Sequence, residues 1–270
     1  MSDRELVDMM ESVWRSITDL CATFDEFQWK SPTDCPGWAV QDQLSHLAGS
    51  ESMYLGRPSP DHTARDTSHV KNEIGERNEV VVDWRRPWTG ARVLDEFREL
   101  TAERMRTLRA FGPDEFAAQT QTPIGPGAMR DLIAIRIFDA WVHEQDIRRA
   151  VGVAGNLDGP VAQHSMGRVT SAMPFVVGKK AQAPDGATVV FDVTGPTGVT
   201  LSIGVEGGRA KTLDAAPVQP TVRLTMDLET FACLGCGRWD PGETLASGKV
   251  RFDGDRTLGE AIVSQMNFMP

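Results

Sequence analysis

Asp139 and His143 stand four residues apart in the segment Phe138-Asp139-Ala140-Trp141-Val142-His143-Glu144-Gln145-Asp146-Ile147-Arg148. On a helix that spacing projects both side chains from one face, about one turn apart, close enough to share an ion. A third ligand must come from a different helix, and His46 lies in a second well-patterned segment, residues 37–49. Together they form a two-histidine, one-carboxylate set, which leaves positions open for water or substrate as a catalytic ion requires. Imidazole with one carboxylate suits zinc, and also iron, nickel or cobalt. Such an ion can ionise a bound water or hold a thiol as thiolate near neutral pH, and these are different reaction classes. Spacing alone leaves a plainer reading open, because an Asp/His pair at i,i+4 is more often a simple hydrogen bond.

The elements that would carry these residues are legible as helices. Residues 5–27 place Leu6, Met9, Met10, Val13, Trp14, Ile17 and Leu20 at three- and four-residue spacings, one apolar stripe. Turn chemistry at residues 31–38 precedes a second helix running to about Leu55, with Thr33 or Asp34 as its cap and Trp38 as a plug between helices. Val93, Leu94, Phe97, Leu100, Met105 and Leu108 pattern a third helix over residues 91–111, and a fourth runs from about Met129 to Ala150, where Gly152 stops it. Four amphipathic helices with one long connection fit a four-helix bundle, which builds metal sites from facing helices. The long connection, residues 56–90, is a candidate lid or substrate loop, with part of it helical around residues 70–82. Its His62 and His69 read as solvated loop histidines, and Trp84-Arg85-Arg86 as snorkelling surface groups that could also grip an anion.

Beyond residue 155 the pattern changes. One more helix, residues 161–177, precedes β-branched or alternating runs at residues 188–193, 199–203, 209–213 and 222–226, separated by glycine-rich turns. Helical segments at 227–234 and 258–268, with a strand around 249–252 between them, complete an α+β unit with an antiparallel sheet. The expected organisation is therefore an α+β two-domain chain: a helical bundle over residues 1–155, and an α+β domain over residues 156–270.

Bulk properties narrow the function. A net charge of -10 argues against a nucleic-acid partner, which needs clustered Lys and Arg. No apolar run reaches the roughly 20 residues of a membrane helix, and the polar N-terminus lacks the order of a signal peptide, so no membrane partner and a cytoplasmic location are expected. The four cysteines are too few for a disulfide framework, and Cys233-Leu234-Gly235-Cys236 reads as two structural thiols.

Two stretches carry a family resemblance. Cys35-Pro36-Gly37-Trp38-Ala39-Val40 through His46-Leu47-Ala48-Gly49, with Asp139-Ala140-Trp141-Val142-His143-Glu144-Gln145-Asp146-Ile147-Arg148, resembles the paired signatures of the mycothiol-dependent maleylpyruvate isomerase family, within the DinB-like superfamily. The resemblance spans almost the whole chain, and residues 250–259 also have a counterpart there. It implies a DinB-like metal-binding four-helix bundle followed by a sterol-carrier-like α+β domain. By motif position it implies His46, Asp139 and His143 as ligands of a divalent metal, zinc foremost, with mycothiol as thiol cofactor or co-substrate. One departure is that the founding isomerase pattern of that family has glutamate where this chain has Asp139, one methylene shorter, so the helix must approach the ion more closely or a water must bridge. Glu144 reads as a surface salt bridge, and Asp146 and Arg148 as packing or ligand-orienting groups.

The implied function is a metal-dependent enzyme whose low-molecular-weight thiol attacks a small-molecule electrophile, either isomerising it or staying attached as in a thiol S-transferase. Arg85, Arg86 and Arg130 are candidate cations for an anionic substrate. The rivals are a metal-dependent small-molecule hydrolase, in which the ion activates water, and a non-catalytic metal- or ligand-binding protein.

Overall fold

A computed structural model describes residues 1–269, and its contacts divide the chain into two compact units, Met1–Asn156 and Leu157–Pro270. The first unit contains α1 (Asp3–Cys21), α2 (Glu26–Trp29), α3 (Val40–Tyr54), α4 (Glu73–Arg85), α5 (Gly90–Ala110), α6 (Pro113–Ala117), strands β1 (Gln119–Thr122) and β2 (Gly125–Ala128), and α7 (Met129–Val151). Helices α1, α3, α5 and α7 form the bundle, α1 and α3 each lying between α5 and α7, and α4 packs on α3.

The helices are of two kinds. In α1, Ser2 and Glu5 make a reciprocal capping box, and the stripe Leu6, Met10, Val13, Trp14 and Ile17 is buried. Helix α5 starts on the Thr89 cap and buries Val93, Leu94, Phe97, Leu100 and Leu108. These two supply apolar burial worth about 1.5–3 kcal/mol per large side chain. Helices α3 and α7 instead bury polar groups as well: Gln41, Asp42, Gln43, Ser45, His46 and Glu51 on α3, with Arg136, His143, Glu144, Gln145 and Asp146 on α7. Polar groups taken from water must find partners, which here come from one another, from α1 and α5, and from the connecting segments.

Neither Thr33 nor Asp34 caps α3. The N-cap is Ala39, and Asp42 reaches back to its N–H at 2.9 Å. The segment before it is pinched by a bridge between Pro32 and Ala39, and Cys35-Pro36-Gly37-Trp38 closes a turn through the Trp38 N–H on the Cys35 carbonyl. Gly37 takes φ +78 at the position where such a turn requires it, and a Cβ there would lie 2.6 Å from the His69 ring. The β1–β2 hairpin was not expected from sequence; its Gln, Thr, Gly and Pro content is poor in strand formers. Helix α7 ends at Gly152 in the left-handed region, φ +69, as expected.

The second unit runs α8 (Gly159–Phe175), a π turn (Val176–Lys180), β3 (Thr188–Thr194), β4 (Val199–Glu206), β5 (Arg209–Thr212), β6 (Val222–Asp227), α9 (Leu228–Gly235), α10 (Pro241–Ala246), β7 (Arg251–Gly254) and α11 (Arg256–Val263). The five strands are ordered β5-β4-β3-β6-β7. Three pairings are antiparallel, but β3 and β6 run parallel, so the sheet is not a simple meander. As the central strand, β3 buries Val189, Val190 and Phe191 in succession, and Phe231 of α9 packs edge-on against Phe191 at 5.8 Å. Cys233 and Cys236 are buried here. Among the described residues no helix is long and apolar enough to cross a membrane.

The Gly37 turn gives a direct test. Gly37→Ala is expected to destabilise the chain by about 1–3 kcal/mol in urea unfolding, from left-handed strain and displacement of His69. An unchanged midpoint would contradict the close packing of that turn.

Candidate metal centre

Each of the histidines and the aspartate singled out by sequence is set by its helix. His46 comes from α3, and Asp139 and His143 from one face of α7. One ligand atom from each lies within 4.8 Å of the others. His46 Nε2 stands 3.3 Å from Asp139 Oδ2, and His143 Nε2 stands 3.6 Å from Asp139 Oδ1, so both imidazoles turn the same nitrogen toward the carboxylate. The ring centroids are 4.6 Å apart. Asp139 is the most open of the three, its side chain 20% exposed against 6% for His46 and 9% for His143.

Charge is arranged around this trio by residues that sequence reading missed. Arg136, buried one turn before Asp139, donates to Asp139 Oδ2 and also to Glu51 Oε1 at 3.0 Å. Glu51 on α3 is fully buried and accepts in addition from Arg104 of α5 at 3.3 Å. Burial alone would raise the Asp139 carboxyl; Arg136 and the two histidines outweigh it and hold the group well below the usual carboxylate range. Burial also depresses His46 to about 4, against the opposing pull of Asp139, so its ring is neutral at pH 7. His143 Nδ1 meets the side-chain oxygen of Gln43, with Asp146 Oδ2 at 3.6 Å beyond. A signal for these partners was available, since Gln43, Glu51 and Arg136 are polar residues at apolar-patterned positions.

One wall of the site is Trp38, whose ring lies 5.4 Å from that of His46 and 5.8 Å from that of His143. It lines the histidines rather than merely plugging the bundle. Its indole N–H donates to Glu79 Oε2 of α4 at 2.9 Å. Glu79 also meets His69 Nε2 at 3.0 Å, while His62 Nε2 meets Asp83 Oδ2 at 2.7 Å. The two loop histidines are therefore half-buried and clasped to buried carboxylates of α4 rather than free in solvent. The sequence could not show this, because a loop carries no periodicity from which to read a partner.

The other assignments change too. Arg85 is buried on Glu96 at 2.6 Å, Arg86 is shared among Asp42, Glu79 and Asp83, and Arg130 meets Asp3 at 3.2 Å, so these candidate anion-gripping cations are committed to carboxylates. Arg136 is the cation beside the trio. Glu144 is no surface salt bridge: it is fully buried, paired with Arg148 at 2.8 Å and accepting from Ser16 and Asn156, each at 2.6 Å.

Chemically, two imidazole nitrogens and an ionised carboxylate brought together fit a divalent ion of zinc's kind, and the outward nitrogen of His143 has the orienting acceptor such sites require. The low His46 value has a consequence for metal-free protein. Its stabilising share is complete above the unfolded value near 6.5 and is lost as pH falls toward 4, because the unfolded chain then binds the proton first. Stability in urea is expected to fall over that window by roughly 1 kcal/mol per pH unit, and by less in His46→Gln. Equal slopes would contradict a buried neutral ring.

Two family models match the chain in order. The model of the mycothiol maleylpyruvate isomerase N-terminal domain matches residues 10–148, and that of the corresponding C-terminal domain matches residues 163–261. A Mycobacterium tuberculosis protein of uncharacterised function, Rv0036c, is 25% identical over 196 residues, covering 66% of this chain and 68% of its own. The crystal structure of the mycothiol-dependent maleylpyruvate isomerase overlays with a TM-score of 0.60 at 14% identity, covering 94% of this chain and 93% of the other, a likeness of fold. Sterol carrier protein 2 like 2 from Aedes aegypti covers 38% of this chain and 96% of its own at 17% identity and a TM-score of 0.31. With both domain models matched in order, over more than half its length, this chain belongs to the mycothiol maleylpyruvate isomerase family.

Proposed function

We propose that the chain is a metal-dependent enzyme using mycothiol, a low-molecular-weight thiol, to isomerise or S-conjugate a small electrophilic molecule. The observation that carries this reading is the convergence of His46, Asp139 and His143 inside the family's N-terminal domain. A divalent ion held there would supply a Lewis acid able to keep a thiol ionised near neutral pH.

The chain's own residues fit that task. Arg136 keeps Asp139 ionised, and burial keeps His46 neutral, so neither donor is lost to a proton at pH 7. The Arg136–Glu51–Arg104 cluster balances the charge of Asp139 within the bundle, so an added divalent cation would leave an excess of positive charge that favours anionic ligands. Trp38 shields one side of both rings from solvent, and the more exposed Asp139 marks the side open to small molecules. With a shorter carboxylate than the founding isomerase pattern, the chain relies on Arg136 to fix Asp139 in place. The site class suits thiol chemistry, and the identity of the electrophile is set by surfaces beyond these residues.

Protein purified without added metal is expected to carry about one divalent ion per chain by elemental analysis, and His46→Ala and His143→Ala each to lose it. Isomerisation of maleylpyruvate, or consumption of mycothiol with an electrophile panel, is expected in the wild type and is expected to stop in both variants. Substoichiometric metal in all three proteins, unaltered by added zinc, would sink the proposal; turnover without any thiol would favour a hydrolase.

A further inference from the structure

His143 presents Nε2 to Asp139 and turns Nδ1 onto the side-chain oxygen of Gln43. Gln43 is fully buried on α3, so both ends of its amide must be satisfied within the protein. Which end faces the histidine is decided one residue further along. Thr33 Oγ1 has a single proton, and the Trp38 main-chain carbonyl 2.8 Å away can only accept it. Toward Gln43, at 2.7 Å, the hydroxyl is therefore an acceptor, as it is toward the Cys35 N–H at 3.2 Å. The amide must then place Nε2 on Thr33 and Oε1 on His143. An amide oxygen only accepts, and so does the Asp146 carboxylate behind it. Nδ1 of His143 must carry the proton, and in the neutral ring Nε2 keeps its lone pair. His46 is under no such constraint: its buried Nδ1 meets no hydrogen-bond partner among the described residues.

We infer that Gln43, locked by Thr33, is a positioning residue that commits His143 to the Nδ1–H tautomer before any ion arrives, so that one nitrogen donor is preformed while His46 is settled by the ion itself. The purpose of this device rests on the proposed metal centre, but its test does not.

Long-range 1H–15N correlation spectra of the metal-free full chain are expected to show His143 protonated at Nδ1. Gln43→Met keeps bulk and removes the acceptor; it is expected to move His143 toward the Nε2–H form and to weaken zinc binding, read by competition with a chromophoric chelator, by about 10–100-fold. Gln43→Glu restores an acceptor oxygen and is expected to keep both the tautomer and most of the affinity. Should Gln43→Met fail to fold, Thr33→Val carries the test by freeing the amide to turn, with both His143 tautomers expected. An Nε2–H ring in the wild type, or an unchanged ring in the folded variant, overturns the inference. A wild-type Nδ1–H ring in a protein that binds no zinc upholds it and removes the metal reading instead.

Discussion

The Asp139 carboxylate has to remain ionised inside a helical bundle, and the rest of the site follows from how that is achieved. Arg136 from the same helix lies against it, Glu51 from α3 holds Arg136, and Arg104 from α5 shares Glu51. Breaking a buried pair of this kind typically costs about 3–5 kcal/mol, since the partner is left charged and unsolvated. Three helices of the bundle are thereby tied by charge at the depth where two imidazoles meet the same carboxylate. Burial of Gln43, Glu51, Arg136, His143 and Glu144 along α3 and α7 is tolerated because each finds a counterpart on another helix of the bundle or on its own.

A second layer of constraint reaches the site from outside the bundle core. Glu79 of α4 accepts from the Trp38 indole and holds His69, so the wall beside the histidines and the connecting loop are fixed by one carboxylate. Asp83 does the same for His62 and Arg65. The long connection is thus an organised part of the site's surroundings. Gly37 lets the chain pass beneath His69 and deliver Trp38, linking a turn in the sequence to the packing of the histidines.

How far this could be read beforehand depended on whether a feature is local. The stripes of α1 and α5 follow helical spacing; α5 was legible to within one residue at each end, whereas α1 was expected to run to residue 27 and stops at Cys21, before the separate short helix α2. That Asp139 and His143 share one helix face was legible for the same reason, and His46, brought to them from α3, stood in a second patterned segment. Gln43, Glu51 and Arg136 stand at apolar-patterned positions, a sign of burial, but which groups they meet lies in pairing across helices and has no local signature, and Glu144 looked like a surface residue because nothing in its spacing reveals Ser16 and Asn156 closing over it. Loop histidines fell to the same limit. In the second unit the strands were visible from β-branched and alternating runs, whereas the parallel pairing of β3 with β6 joins residues about thirty apart and has no local signature.

If His46, Asp139 and His143 hold one ion, that ion meets the sulfur of the thiol in the proposed reaction. X-ray absorption at the zinc edge, recorded on the zinc-loaded full chain before and after adding mycothiol, tests it most directly. Nitrogen and oxygen scatterers alone are expected at first, with imidazole features from two histidines, and then one sulfur at about 2.3 Å once the thiol is present. A zinc shell without histidine, or one that gains no sulfur at saturating mycothiol, would contradict it.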